Sequence, residues 1–496
     1  MERSFLQTPA GWWRLIAGYL VLNGVARLLI LPHTLWIDEA EQVYMSQWLS
    51  PAAFEIQPPL YSWIHYAAFQ MLGPSMLFLQ VFKIAVIIAT YYGLYRLMQH
   101  LAGQFPAAVV LCLASLPFIP QLWDETLTRT NTILVTCASV WAMYVLIRLV
   151  EQPRWYWYAA LGVLAGVGFL SKYTIVLGFA GMALAGLGFP ASRKALLHPM
   201  IIVSLIAFLL VVWPHLGWFV QHLLQSKSNL ETELGSSQPL SWGATTVKGL
   251  SSFAGNSFGF IGIWAVLMLL LLWPAWRQAL HLPKLMWSNF LGRYLLVIVT
   301  LLLFALFFFG MTTFYERYFQ PFYIFIPVWL FAGIAPQLSL NNSRSKWLQW
   351  LSLLAFLALF YFNHIHLLVQ PITGKTDVMH IPYQGIADSL RKQLQPGDLV
   401  VTNRIRMAGN LRLNLGQQRV LWTDDSLHFR EELERTGVNQ LVYVWHVGDE
   451  RLPSMPTAAD VSLNNFDSSL IKWVQVPYGI PADRYFEIGV IRLPRR

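Results

Sequence analysis

Long apolar runs separated by short polar stretches fill residues 1–370. About 20 mostly apolar residues suffice for a helix to cross a bilayer. Eleven segments are read this way: roughly 12–32, 75–98, 105–121, 128–149, 155–171, 174–190, 199–221, 257–277, 289–311, 317–335 and 346–369. The third, fifth and sixth are short, and the pattern leaves room for up to thirteen spans. The first is too long, and wrongly flanked, for a cleaved signal peptide, so it is read as an anchor. From about residue 371 the pattern changes. Ile386–Leu394 predicts an amphipathic helix and 408–415 another. Leu399–Val401, Arg419–Trp422 and Leu441–Trp445 predict buried strands. Alternating strands and helices suggest a small α/β unit. The expected fold is therefore a polytopic α-helical membrane domain, 1–370, followed by a soluble α/β domain, 371–496.

Composition agrees. Of 496 residues, 56% are hydrophobic and only 12% are charged, which excludes an ordinary soluble enzyme or a disordered chain. The net charge of +9 invites a nucleic-acid reading, but the basic residues are dispersed. With the N-terminus placed in the cytoplasm, Arg14, Arg96, Arg148, Arg154, Arg193, Lys194, Arg277, Lys284 and Arg293 share one side. The acids Asp38, Glu39, Glu41, Glu55, Asp124, Glu125, Glu231, Glu233 and Glu316 share the other. Cytoplasmic loops gather Lys and Arg, so the charge is a topology signal. An odd number of spans then puts the C-terminal domain outside. Cys112 and Cys137 lie in apolar runs and read as core thiols.

Scarce charge narrows the chemistry to the external loops. The first, 33–59, carries adjacent acids, Asp38 and Glu39, just beyond the first span. An amphipathic stretch with Val43, Tyr44, Trp48 and Leu49 follows, which could lie flat in the interface. A carboxylate held there could take a proton from a hydroxyl. The plain alternative is a pair of solvated loop charges.

The run Trp36-Ile37-Asp38-Glu39-Ala40-Glu41, followed by Gln57-Pro58-Pro59-Leu60-Tyr61, resembles the first external loop of the GT-C glycosyltransferases that use lipid-phosphate sugars. That group includes the protein O-mannosyltransferases and the lipid A aminoarabinose transferase. Gly168-Phe169-Leu170-Ser171-Lys172-Tyr173 resembles a recurrent segment between two spans. Tyr315-Glu316-Arg317-Tyr318 resembles a basic-Tyr pair before a late span. The resemblance implies a many-span domain with its active site on the outer face, the first-loop acids as hallmark, and the Asp as base. Two positions depart from the pattern. The lipid A branch usually has Lys where Gln57 stands, and Asn131 occupies a place that often holds Asp, a role that Asp124 or Glu125 could assume.

The implied reaction moves a sugar from a polyprenyl-phosphate donor to a hydroxyl, with inversion. The acceptor would be a cell-envelope glycolipid such as lipid A or lipopolysaccharide, or a protein. Asp38, with Glu39, supplies the base. Lys172 and Arg317, with Tyr318, are the candidates for holding the leaving phosphate. Alternatively Lys172 snorkels from a helix end, and Arg317 pairs with Glu316 or Asp124. Arg27 and Lys83, inside spans, are expected to be paired or functional, or to reach a span end. Asp124, Glu125, Arg129, Gln57, Tyr61 and His222 form a possible second acidic or substrate site. His215 and His222 could join Glu39 at a metal, but the spacing matches ligand pairs poorly, so no metal or other cofactor is called for. The loop 222–256 has the composition of a mobile lid. A flippase or transporter of lipid-linked sugar is the alternative function. It would be expected to show internal repeats and broken midplane helices, and neither is evident.

Overall fold

The structure is a computed structural model. It describes the chain except residues 1–4, 52–56, 120, 125–127, 223–241, 280–285, 374, 376, 435–439, 447–470, 479–483 and 495–496. The helices begin with α1 (Pro9–Leu29), α2 (Ile37–Met45), α3 (Leu60–Leu72), α4 (Met76–Ala102), α5 (Pro106–Ser115), α6 (Gln121–Asp124) and α7 (Asn131–Glu151). There follow α8 (Trp155–Ser171), α9 (Ile175–Leu187), α10 (Pro190–Leu196), α11 (Ile201–His222), α12 (Trp242–Ala279) and α13 (Met286–Phe309). The membrane part ends with α14 (Glu316–Tyr323), α15 (Phe325–Gly333), α16 (Ser343–Phe360) and the short α17 (His366–Val369).

All eleven apolar segments fall on helix. Six described helices are long and apolar enough to cross a membrane: Met76–Ala102, Asn131–Glu151, Ile201–Gln221, Trp242–Ala279, Met286–Phe309 and Ser343–Val369. They expose large apolar side chains such as Leu210, Trp213, Leu270 and Phe308 on the outer surface of the bundle, as hydrocarbon-facing helices do. Inside, small residues permit close approach. A Cβ at Gly162 of α8 would meet the Ser204 carbonyl of α11 at 2.1 Å.

Three expectations change. The segment 317–335 is two helices, α14 and α15, hinged at Ile324. Residues 242–256 are not lid but the start of the 38-residue α12. Their Ser and Gly content suggested a loop. Instead Ser252 clasps Phe314, accepting its N–H at 2.9 Å and donating to its carbonyl at 3.4 Å, while Phe253 packs edge-on to the Phe314 ring. The remainder of that loop, 223–241, lies outside the described residues. Finally, α3 was not foreseen, because its 13 residues fall short of a span.

The C-terminal part adds α18 (Tyr383–Arg391), α19 (Ile405–Leu415) and α20 (Ser426–Glu434) to a five-stranded sheet. Its strands are β1 (Leu399–Thr402), β2 (Val420–Trp422), β3 (Gln440–His446), β4 (Lys472–Pro477) and β5 (Tyr485–Pro494), in the order β2-β1-β3-β5-β4. β1 runs parallel to β2 and β3, while β5 is antiparallel to both β3 and β4. The three strands read from the sequence coincide with β1, β2 and β3; β4 and β5 are additional. One core of this unit includes Tyr44 and Met45 of α2 together with Ile386, Val400, Met407 and Leu411. The loop between α1 and α3 is thus built into the C-terminal fold through α2. The apolar face of α2 that could have met an interface packs against α19.

Candidate active site

α2 begins at Trp36, whose N–H is accepted by the Glu39 carboxylate reaching back at 3.3 Å. Acids in a first turn also face the positive end of the helix dipole. This places Asp38 and Glu39 on different faces. Glu39 is 1% exposed and points into the bundle. There it forms a buried ion pair with Lys83 of α4 and accepts from Gln80 at 3.2 Å. Arg27, also buried, turns back to the carbonyls of Pro32 and Thr34, which fixes the turn between α1 and α2. Both charges found within spans are therefore tied to the first loop and do not snorkel.

Asp38 is half-buried on the other face, with Glu41 one turn further on. Burial pushes the Glu41 carboxyl up to about 7. The Asp38 charge adds to the rise and Arg317 opposes it. Glu41, not among the residues selected from the sequence, is therefore a second carboxyl beside Asp38 that changes charge near neutrality. The i, i+3 spacing on an amphipathic helix was the available signal.

Arg317 comes from the first turn of α14. Its guanidinium lies 5.3 Å from the Tyr315 ring centroid and 5.9 Å from that of Tyr318. The Lys172 ammonium, just past the end of α8, lies 5.2 Å from the same Tyr318 ring and 3.4 Å from the Thr132 hydroxyl. Two cations from distant parts of the chain thus share one aromatic ring. Arg317 takes neither of the acids foreseen for it. Among the described ion pairs, Asp124 is bound to Arg129 at 3.1 Å and also accepts from the Thr128 hydroxyl at 2.9 Å. Glu125 lies outside the described residues.

Thr132 follows Asn131 at the start of α7, and the Asn131 carboxamide donates to that of Gln57 at 3.3 Å. The two departures from the family pattern therefore touch one another. Where the resemblance implies Lys and Asp, this chain places a neutral hydrogen-bonded pair, so both charges are absent together. Tyr61 is fully buried, stacked on His65 with centroids 4.4 Å apart, and lies within electrostatic reach of both Asp38 and Glu39.

His215 serves packing. Its ring is bonded to the Pro51 carbonyl at 2.6 Å and the Tyr173 hydroxyl at 2.9 Å, bracing the segment after Lys172. The side chain of His222 lies outside the described residues. Among the described residues, no cluster of three or more His, Cys, Asp or Glu could hold a metal ion.

The Glu41 carboxyl on α2 lies within electrostatic reach of Arg317, which clusters with Lys172 around the Tyr318 ring. Such an arrangement can accept a proton on one side and hold an anion on the other. Residues 56–218 match the family described as dolichyl-phosphate-mannose-protein mannosyltransferase. Over 482 residues, 95% of each chain, the protein is 27% identical to the lipopolysaccharide core galacturonosyltransferase RgtB of Rhizobium johnstonii. It is 28% identical over 414 residues to RgtA of the same organism, also a lipopolysaccharide core galacturonosyltransferase, covering 83% of this chain and 81% of the relative.

Proposed function

We propose that the chain is a multi-pass membrane glycosyltransferase of the GT-C type that transfers a uronic sugar, galacturonic acid, from a polyprenyl phosphate to a hydroxyl of a lipopolysaccharide core. Asp38 accepts the proton of the acceptor hydroxyl as its oxygen attacks the sugar C1. The C1–O bond to phosphate breaks on the opposite face, so the anomeric centre inverts. Lys172 and Arg317 take up the negative charge of the departing polyprenyl phosphate, Arg through a planar fork and Lys as a point charge. Glu39 has a separate role: buried against Lys83, it anchors α2. The active face looks away from the cytoplasm, toward the periplasm of a Gram-negative cell, and the C-terminal domain lies on that side. No cofactor enters this scheme.

The observation that carries the reading is the convergence of Lys172 and Arg317 on Tyr318, with Arg317 acting on the α2 acid face. Synthetic polyprenyl-phosphate galacturonic acid and lipopolysaccharide core acceptor, incubated with purified protein in detergent, test it. The expected product has an inverted anomeric carbon by NMR, and envelope glycolipids from cells lacking the gene lose one galacturonic acid by mass. A retained configuration, or no transfer from any polyprenyl-phosphate sugar, overturns the proposal.

Glu41 supplies a pH signature. Its raised pKa means the folded protein holds this proton below about 7 and loses it above. The associated stability is fully present below the ordinary carboxylate value and is lost as pH rises through about 7. Ionised, Glu41 competes for Arg317 and repels the donor phosphate. The donor KM is therefore expected to climb as pH rises from 6 to 8, and to stay level over that range in Glu41→Gln. Equal pH dependence in both proteins would exclude this role.

A further inference from the structure

The C-terminal unit grips α2 at every level of the helix. Before it, the Asn410 carboxamide takes the N–H of Leu35 at 2.8 Å and donates to the Leu35 carbonyl at 3.4 Å. At mid-helix, α19 passes so close that a Cβ on Gly409 would stand 2.1 Å from the Ala40 carbonyl oxygen and 2.5 Å from Ala40 Cα. Ala40 lies between Asp38 and Glu41. Just after the helix, the Gln47 carboxamide donates to the Val420 carbonyl at 2.8 Å and accepts its N–H at 2.9 Å, closing the open edge of β2 as a sixth strand would. The Tyr44 hydroxyl donates to Asp425 at 2.8 Å and accepts the Trp422 N–H at 3.2 Å. On the membrane side the only charged anchor among the described contacts of α2 is the Glu39–Lys83 pair.

We propose that the C-terminal unit is the positioning element of the transferase, with Gly409 and Asn410 setting the height and register at which α2 presents Asp38. The proposal rests on the reading of Asp38 as base. Neither residue is assigned any contact with substrate. Gly409 allows backbone-to-backbone contact that no larger residue permits, and Asn410 fixes the entry strand by satisfying both backbone groups of one residue. Catalysis depends on such placement, since about 1 Å of displacement can cost roughly 10²-fold in rate.

Gly409→Ala inserts one methyl between α19 and α2 and must push them apart. It is expected to lower kcat about 10²-fold while donor KM stays within about twofold. The displacement also moves Glu41, which travels with Asp38 on α2, relative to Arg317, so the inflection of KM near pH 7 should shift. Asn410→Ala adds no bulk and is expected to lower kcat about tenfold with the same unchanged KM, which keeps the test valid should Gly409→Ala fail to fold. Protein in the membrane and the melting temperature in detergent are measured for both. If rates fall only in proportion to folded protein, or if both variants turn over as the wild type does, the positioning role is overturned. Normal transfer by Asp38→Asn would instead sink the base and with it the claim that Gly409 and Asn410 act by placing Asp38, whereas slow transfer by Asp38→Asn with unaffected Gly409 and Asn410 variants would sink the positioning role alone.

Discussion

Asp38→Asn is expected to insert, fold and bind donor as the wild type does, and to transfer sugar about 10³-fold more slowly, the typical worth of a positioned general base. Asparagine has nearly the shape of aspartate and gives up only the roughly 0.3–1 kcal/mol that a first-turn acid gains from the helix dipole, so α2 should form unchanged. Only the proton acceptor is lost. A second readout is built into the same variant. The Asp38 charge helps to hold the Glu41 carboxyl up near 7, so removing it should move the KM inflection to lower pH. Unaltered transfer would sink Asp38 as the base. An unaltered inflection would show that the two carboxyls do not face a common space.

The second large effect concerns Lys83. It is fully buried and its partner Glu39 is 1% exposed. Breaking a buried pair from one side leaves an uncompensated charge and costs about 3–5 kcal/mol, a large part of the stability of a typical domain. Lys83→Met should therefore deplete the protein from membranes and lower its melting temperature in detergent. Lys83→Met combined with Glu39→Gln should recover most of that stability, because an uncharged pair carries little desolvation cost. The double variant also separates the two hallmark acids. If Glu39 only anchors α2, the double variant regains much of the transfer activity. If it regains the fold but stays inactive, Glu39 belongs to the chemistry.

Legibility in the sequence followed the range of the forces involved. The apolar segments were plain because each is decided by its own residues, and so were β1, β2 and β3. Lys172 and Arg317 were selected because few cations fall in the short loops read as external, and Asp38 because of the adjacent acids and the resemblance of its loop. What escaped was non-local. Nothing in the spacing of Glu39 and Lys83, 44 positions apart, announces an ion pair. The amphipathic pattern of α2 signalled a buried face but not what buries it; a lipid surface and α19 make the same demand of Val43 and Tyr44. The opening turns of α12 were misread because Ser252 and Gly249 look like loop residues until Phe314 and Met311 are packed against them. Gln57 and Asn131 looked like two separate losses, and contact between them makes them one exchange.

The bond between Gln47 and Val420 joins residues 373 positions apart. A ribosome making about 5–20 residues per second needs tens of seconds to cover that interval. Throughout it, α2 has been made but lacks the strand edge and the helix that later grip it. The segment bearing Asp38 is thus among the first to be synthesised and the last to be secured. A chain interrupted before β2 therefore carries Asp38 on a helix that still lacks its contacts to the C-terminal unit.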